Sequence, residues 1–235
     1  MKKTNICQYV SRYFPGIFTH ILASKIPYFT GIVADLRLGE VIDSYGDTDI
    51  IYRNEIGAGI QNIVATSKDD IIIGSDQENV IEAGSGDDLI QTGAGDDEVF
   101  GGLGDDRIIV GAGDDTIYGD SRHEAGGRDT FVFEGGFGTN RIEDFEAAAA
   151  RPANYSLADT VWGPSLGGDQ IIVRLDQDDH LEGPIEESGK IVLRKTRQDG
   201  QTHSVLVSNT ASLITATTIA LVTSEVKIGR ASCRE

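Results

Sequence analysis

Aspartates recur through the middle of the chain at multiples of nine residues: Asp70, Asp88, Asp97, Asp106 and Asp115. Each is the second member of an Asp-Asp pair, and the last four follow glycine-rich turns: AGSGDD (83–88), TGAGDD (92–97), GGLGDD (101–106) and VGAGDD (110–115). Glycine adopts backbone conformations closed to residues with a side chain, so paired glycines can turn carbonyl oxygens into the bend. The pairs are Gly84 with Gly86, Gly93 with Gly95, Gly102 with Gly104, and Gly111 with Gly113. Two carboxylates from neighbouring turns, plus several carbonyls, would form a flexible cage of hard oxygen donors. Such a cage suits Ca²⁺ better than a softer or smaller cation. A single unit cannot supply it.

The cage therefore depends on elements that stack one turn on another. From Asp69 the chain reads as nine-residue units: DDIIIGSDQ, ENVIEAGSG, DDLIQTGAG, DDEVFGGLG, DDRIIVGAG and DDTIYGDSR. Two residues after each paired position stands an aliphatic, at Ile72, Ile81, Ile90, Val99, Ile108 and Ile117, with Ile63 in phase one unit earlier. A strand of about three residues buries only its central side chain, which matches this spacing. A helix would need apolar residues three and four apart, and each turn glycine would cost it about 1 kcal/mol. Two units, each a short strand and a turn, make one coil of a flattened parallel β-solenoid. Units two apart then stack, so Asp88 lies beside Asp106 on one edge and Asp97 beside Asp115 on the other. The turn ATSKDD before Asp70 lacks glycine, and Asn79 replaces a carboxylate, so a site pairing Asp70 with Asp88 is left open and one at Asn79 is less favoured. After Tyr118 an insertion delays the next in-phase carboxylate to Asp129, which would complete a site with Asp106. The first aspartate of each pair, such as Asp87 or Asp96, is read as charge and turn chemistry.

These units resemble the RTX nonapeptide repeat, G-G-x-G-x-D-x-U-x with U aliphatic, a Ca²⁺-binding parallel β-helix pattern. TGAGDDEVF (92–100), GGLGDDRII (101–109) and VGAGDDTIY (110–118) fit it consecutively. The resemblance implies an all-β fold, a right-handed parallel β-roll with a β-strand-rich C-terminal capping region, holding several Ca²⁺ ions. It maps the family's sixth-position carboxylate ligand onto Asp88, Asp97, Asp106 and Asp115. The turn glycines would supply backbone oxygens or permit their approach. It also implies a bacterial protein exported by a type I secretion system, folding on Ca²⁺ outside the cell, and hence secreted or at the cell surface. The segment FVF, IEDF and GGDQI (131–171) is similar to the region that follows RTX repeats in serralysin-type secreted metalloproteases. The expected organisation is an N-terminal segment of undetermined character over 1–30, the β-roll over 31–134 and a β-rich capping and secretion-related region over 135–226. Residues 227–235, KIGRASCRE, read as a translated sequencing adapter, so Cys233 is set aside.

Composition narrows the function classes. Twenty Lys plus Arg against 38 Asp plus Glu give a net charge of -18, with no basic stripe to neutralise nucleic-acid phosphates. No run of about 18 apolar residues offers a membrane span. Between Thr66 and Thr130 there are 17 acidic residues and 4 Lys or Arg. With roughly one core aliphatic per unit, folding is expected to require the metal. Gly163 to Gly167, GPSLG, matches a nucleophile-elbow pattern, but a turn and strand rather than a helix follow Ser165. His20, His123, His180 and His203 show no zinc spacing, so no catalytic residue is assigned. Lys2 and Lys3 precede an apolar stretch interrupted by Arg12, Pro15 and His20, which argues against a signal peptide. Leu213–Val222 resembles the approach to a C-terminal export signal whose end the adapter has replaced. The alternative function is the C-terminal part of a secreted hydrolase, metalloprotease or lipase, or of a cell-surface adhesin.

Overall fold

The computed structural model describes residues 20–22, 31–42, 48–50, 61–120, 126–145, 168–176, 179–188, 190–208 and 219–223. Ser165, His123 and the terminal KIGRASCRE lie outside them. Among the described residues every regular element is a strand. In chain order these are β1 (His20–Leu22), β2 (Val33–Asp35), β3 (Glu40–Ile42), β4 (Thr48–Ile50), β5 (Asn62–Val64), β6 (Ile71–Ile73), β7 (Val80–Ser85), β8 (Leu89–Gln91) and β9 (Glu98–Leu103). They continue as β10 (Arg107–Val110), β11 (Thr116–Asp120), β12 (Thr130–Phe133), β13 (Thr139–Ile142), β14 (Gln170–Leu175), β15 (His180–Glu187), β16 (Lys190–Thr196), β17 (Thr202–Val207) and β18 (Ile219–Thr223).

From β5 to β14 successive strands alternate between two sheets, each turn sending the chain across to the other face. One sheet runs β1-β5-β7-β9-β11-β13-β17-β16-β15, the other β18-β14-β12-β10-β8-β6-β2-β3-β4. Within the repeats the register is eighteen residues: Ile63, Ile81, Val99 and Ile117 align in one sheet, and Ile72, Ile90 and Ile108 in the other. Each of these side chains is buried between the sheets, which is the in-phase aliphatic column expected of a parallel β-roll. A fully buried aliphatic side chain contributes about 1.5–3 kcal/mol, so every coil adds a similar small apolar increment. The core thickens toward the C-terminus, where Phe131, Phe133, Phe137 and Phe145 replace aliphatics.

Parallel stacking continues past residue 134, through β12 to β14 and β18 and through β13 to β17. Antiparallel strands close both ends: β2, β3 and β4 at one, and β17, β16 and β15 at the other. Ile32–Leu36 contains β2, which pairs in parallel with β6 and carries the antiparallel β3 beyond it. At the far end Lys195, 1% exposed, pairs with Asp179 at 2.7 Å and donates to the carbonyls of Gly135 and Arg174. Directly opposite it on β17, His203 accepts the Gly138 N–H at Nδ1 and packs against the Phe137 ring.

Candidate metal centre

The turns between the sheets lie along two edges, and on each edge the sequence-predicted aspartates form a continuous column. Along the first edge the backbone N–H of Asp70 donates to Oδ1 of Asp88 (2.7 Å), Asp88 to Asp106 (2.8 Å), Asp106 to Asp129 (3.0 Å) and Asp129 to Asp169 (2.9 Å). Along the second, Asn79 donates to Asp97 (2.8 Å), Asp97 to Asp115 (2.9 Å) and Asp115 to Oδ1 of Asn140 (2.7 Å). All are at most 2% exposed. Each carboxylate thus spends Oδ1 on tying its turn to the coil before it.

The second oxygen has no such use. Oδ2 of Asp88, Asp106 and Asp115 is buried without a hydrogen-bond partner, and that of Asp97 has no well-formed one, the Thr92 hydroxyl being the side-chain donor that approaches this carboxylate. A buried carboxylate that lacks a countercharge is costly, and the groups respond by holding protons. Burial pushes Asp88 and Asp97 up to about 8 from an ordinary 3.8; the Asp70 and Asn79 N–H groups partly oppose this, and Asp106 and Asp115 respectively add repulsion. Asp106 and Asp115 are pushed to about 7 and Asp129 to about 9, with burial again the leading cause.

Among the described residues no three His, Cys, Asp or Glu side chains converge into a metal-binding group. A cation here would have to draw on two carboxylates at most from neighbouring coils and otherwise on backbone oxygen, which is the donor set expected from the sequence. The glycines make that backbone available by letting coils touch. A Cβ on Gly102 would lie 2.0 Å from the Gly84 carbonyl oxygen, and one on Gly113 2.0 Å from that of Gly95; both residues have φ in the left-handed region, at 120° and 143°. Gly84, Gly86, Gly93, Gly95, Gly104 and Gly111 face the coil beneath them with comparable closeness. A Cβ on Gly101 would fall 2.5 Å from Oδ2 of Asp106, so the first glycine of that turn leaves room for the orphaned oxygen itself. Buried, unpartnered carboxylate oxygens beside exposed-backbone turns fit Ca²⁺.

With that geometry in place, a family model described as RTX calcium-binding nonapeptide repeat (4 copies) matches residues 56–90, 73–108 and 91–121. Residues 56–121 are RTX calcium-binding repeats. RTX repeats bind several Ca²⁺ ions across successive units and form a non-catalytic module. No curated protein matches the chain. The likeness of the C-terminal segment to serralysin-type tails has no support in these matches, which stop at residue 121.

The sequence assigns no partner to several participants, among them the first aspartates of the pairs, read there as charge and turn chemistry. The first aspartates of the pairs form an outer row of opposite sense: Asp87 N–H donates to Asp69 (2.9 Å), Asp105 to Asp87 (2.9 Å) and Asp114 to Asp96 (2.8 Å). One member of each pair therefore grips the coil before it and the other the coil after. Asp169 and Asn140 extend the columns beyond the repeats. Their signals are GGDQI and GTNRI, where an aliphatic again follows two residues later, at Ile171 and Ile142. Asp144 accepts the N–H groups of Gly119 and Asp120, and burial holds it near 6.

Proposed function

We propose that this chain is a calcium-triggered folding module of a bacterial protein exported by a type I secretion system. Asp88, Asp97, Asp106, Asp115 and Asp129 would be its side-chain ligands, and the turn glycines its carbonyl donors or the means of their approach. The orphaned Oδ2 atoms carry this reading. At neutral pH the stacked columns must hold either protons or cations, and millimolar Ca²⁺ would supply the cations. Extracellular calcium modules bind at about 10⁻⁴–10⁻³ M, well above cytosolic Ca²⁺. Inside the cell the acidic chain would therefore remain unfolded and able to pass through an export channel. Outside, ion binding and stacking would occur together, since no ligand pair exists before two coils meet. Location outside the cell or on its surface follows from the same logic.

The test is a Ca²⁺ titration from chelator at pH 7.5, followed by far-ultraviolet circular dichroism. Strand signal should rise cooperatively in the high-micromolar to millimolar range; full strand signal already present in chelator defeats the proposal. The activity of any larger parent protein, protease, lipase, toxin or adhesin, is to be read from sequence upstream of this chain.

A further inference from the structure

The lowest coil of the repeat array departs from those above it at both glycine slots of each turn. Where later turns carry Gly84, Gly93, Gly102 and Gly111, the first two carry Thr66 and Ser75; where later turns carry Gly86, Gly95, Gly104 and Gly113, they carry Lys68 and Gln77. Seven of those eight glycines have φ between 104° and 143°, whereas among the described residues the sole non-glycine with positive φ is Ser188, at 52°. The first two turns therefore follow a different backbone path.

That path changes what the rung residue meets. The Thr66 N–H donates to Oδ2 of Asp70 (2.8 Å), its hydroxyl lies 2.9 and 3.0 Å from the two carboxylate oxygens, and the Ile32 N–H donates to Oδ1 (2.7 Å). On the other edge the Ser75 N–H donates to Oδ1 of Asn79 (2.7 Å), the Ser75 hydroxyl lies 3.2 Å from it, and Nδ2 of Asn79 donates to the Gln61 carbonyl (3.0 Å). Both oxygens of Asp70 and the amide of Asn79 are satisfied by protein, in contrast to the bare Oδ2 of Asp88 one coil above; Asp97, above Asn79, has only the Thr92 hydroxyl approaching it.

We infer that Thr66 and Ser75 close the lowest rung of each column to calcium, so that the residue in the second turn position determines whether a rung takes an ion. The hydroxyl and N–H occupy the lone pairs that a glycine turn leaves for the cation. The first coil is thereby a metal-free floor on which the calcium-filled coils stack, and Asp70 is an anchor rather than a ligand. This rests on the calcium reading above.

Bound calcium per chain, measured by atomic emission after dialysis of the full chain against millimolar CaCl₂, separates the possibilities. Asp70→Asn should bind as many ions as wild type, Asp88→Asn fewer, and the double variant Thr66→Gly/Lys68→Gly one more. An ion lost in Asp70→Asn as in Asp88→Asn overturns the inference, as does an unchanged count in the glycine variant at wild-type strand content. Should the glycine variant not fold, the pair Asp70→Asn and Asp88→Asn decides alone. A wild-type chain that binds no calcium overturns the calcium reading itself, and this inference with it.

Discussion

In the repeat array Asp88, Asp97, Asp106 and Asp115 are buried among other carboxylates, whereas at the C-terminal end Asp179 is buried against Lys195 at 2.7 Å. The outcome differs in sign. Burial raises Asp179 too, but the Lys195 hydrogen bond, the Asp176 N–H and the Lys195 charge outweigh it, and its pKa falls below the ordinary value. In the array the backbone N–H groups offset only part of the burial, and the carboxyls stand at about 7 to 9. One region brings its own countercharge; the other leaves that role to an ion from solution. The repeats are therefore conditional on their surroundings, while the end closure is built from the chain alone.

The largest expected effect breaks the contrast by supplying protons in place of metal. A carboxyl whose folded pKa lies above its unfolded value gives stability that is complete below about 4 and is lost as pH rises through the folded value. For these groups the window runs from about 4 to between 7 and 9. In chelator, strand signal should thus grow as pH falls from 9 toward 4.5, and in saturating calcium the same scan should be nearly flat across its neutral half. A chelated chain whose circular dichroism ignores pH would remove the buried-carboxylate explanation.

Next in size is the end closure. Lys195→Met removes the ion-pair partner of Asp179, leaving it the Asp176 N–H and the more distant Arg197 charge, and should cost about 1–3 kcal/mol in thermal or denaturant unfolding, while Lys195→Met/Asp179→Leu should recover most of it. The calcium midpoint of circular dichroism should move much less than for Asp106→Asn, which removes a carboxylate flanked by rungs on both sides. Gly102→Ala should then cost about 1–3 kcal/mol from its left-handed backbone alone, with a further loss from the Gly84 carbonyl. Its signature is a higher calcium midpoint. The smallest effect is expected of Asn79→Asp: with Ser75 still occupying the rung, ion counts by atomic emission should not change, and only the chelated state should weaken.

Much of this was legible in sequence because nine-residue phase fixes both what faces inward and what stacks. The pairing of Asp88 with Asp106 and of Asp97 with Asp115 follows from two units per coil, and so does the inward aliphatic column. Asp129 could be placed despite the insertion because Phe131 kept the phase. Asp169 and Asn140 were not, because each lies beyond the nine-residue phase, on a segment that reaches its column after a longer excursion. The closure of Asp70 by Thr66 was also out of reach: the missing glycine was visible, but not where the hydroxyl would point. The buried Lys195–Asp179 pair joins strand β16 to a loop, a contact with no periodic trace.

Sequence alone determined the repeat, the alternation of sheets and the two edges on which acid accumulates, because each is a local consequence of a short strand, a glycine turn and a fixed phase. Only the tertiary structure decided which oxygens remain without partners. Whether a carboxylate is satisfied depends on N–H groups delivered through space by neighbouring coils, eighteen to forty residues away, and on what its own turn folds back onto it, as the Thr66 N–H and hydroxyl do onto Asp70.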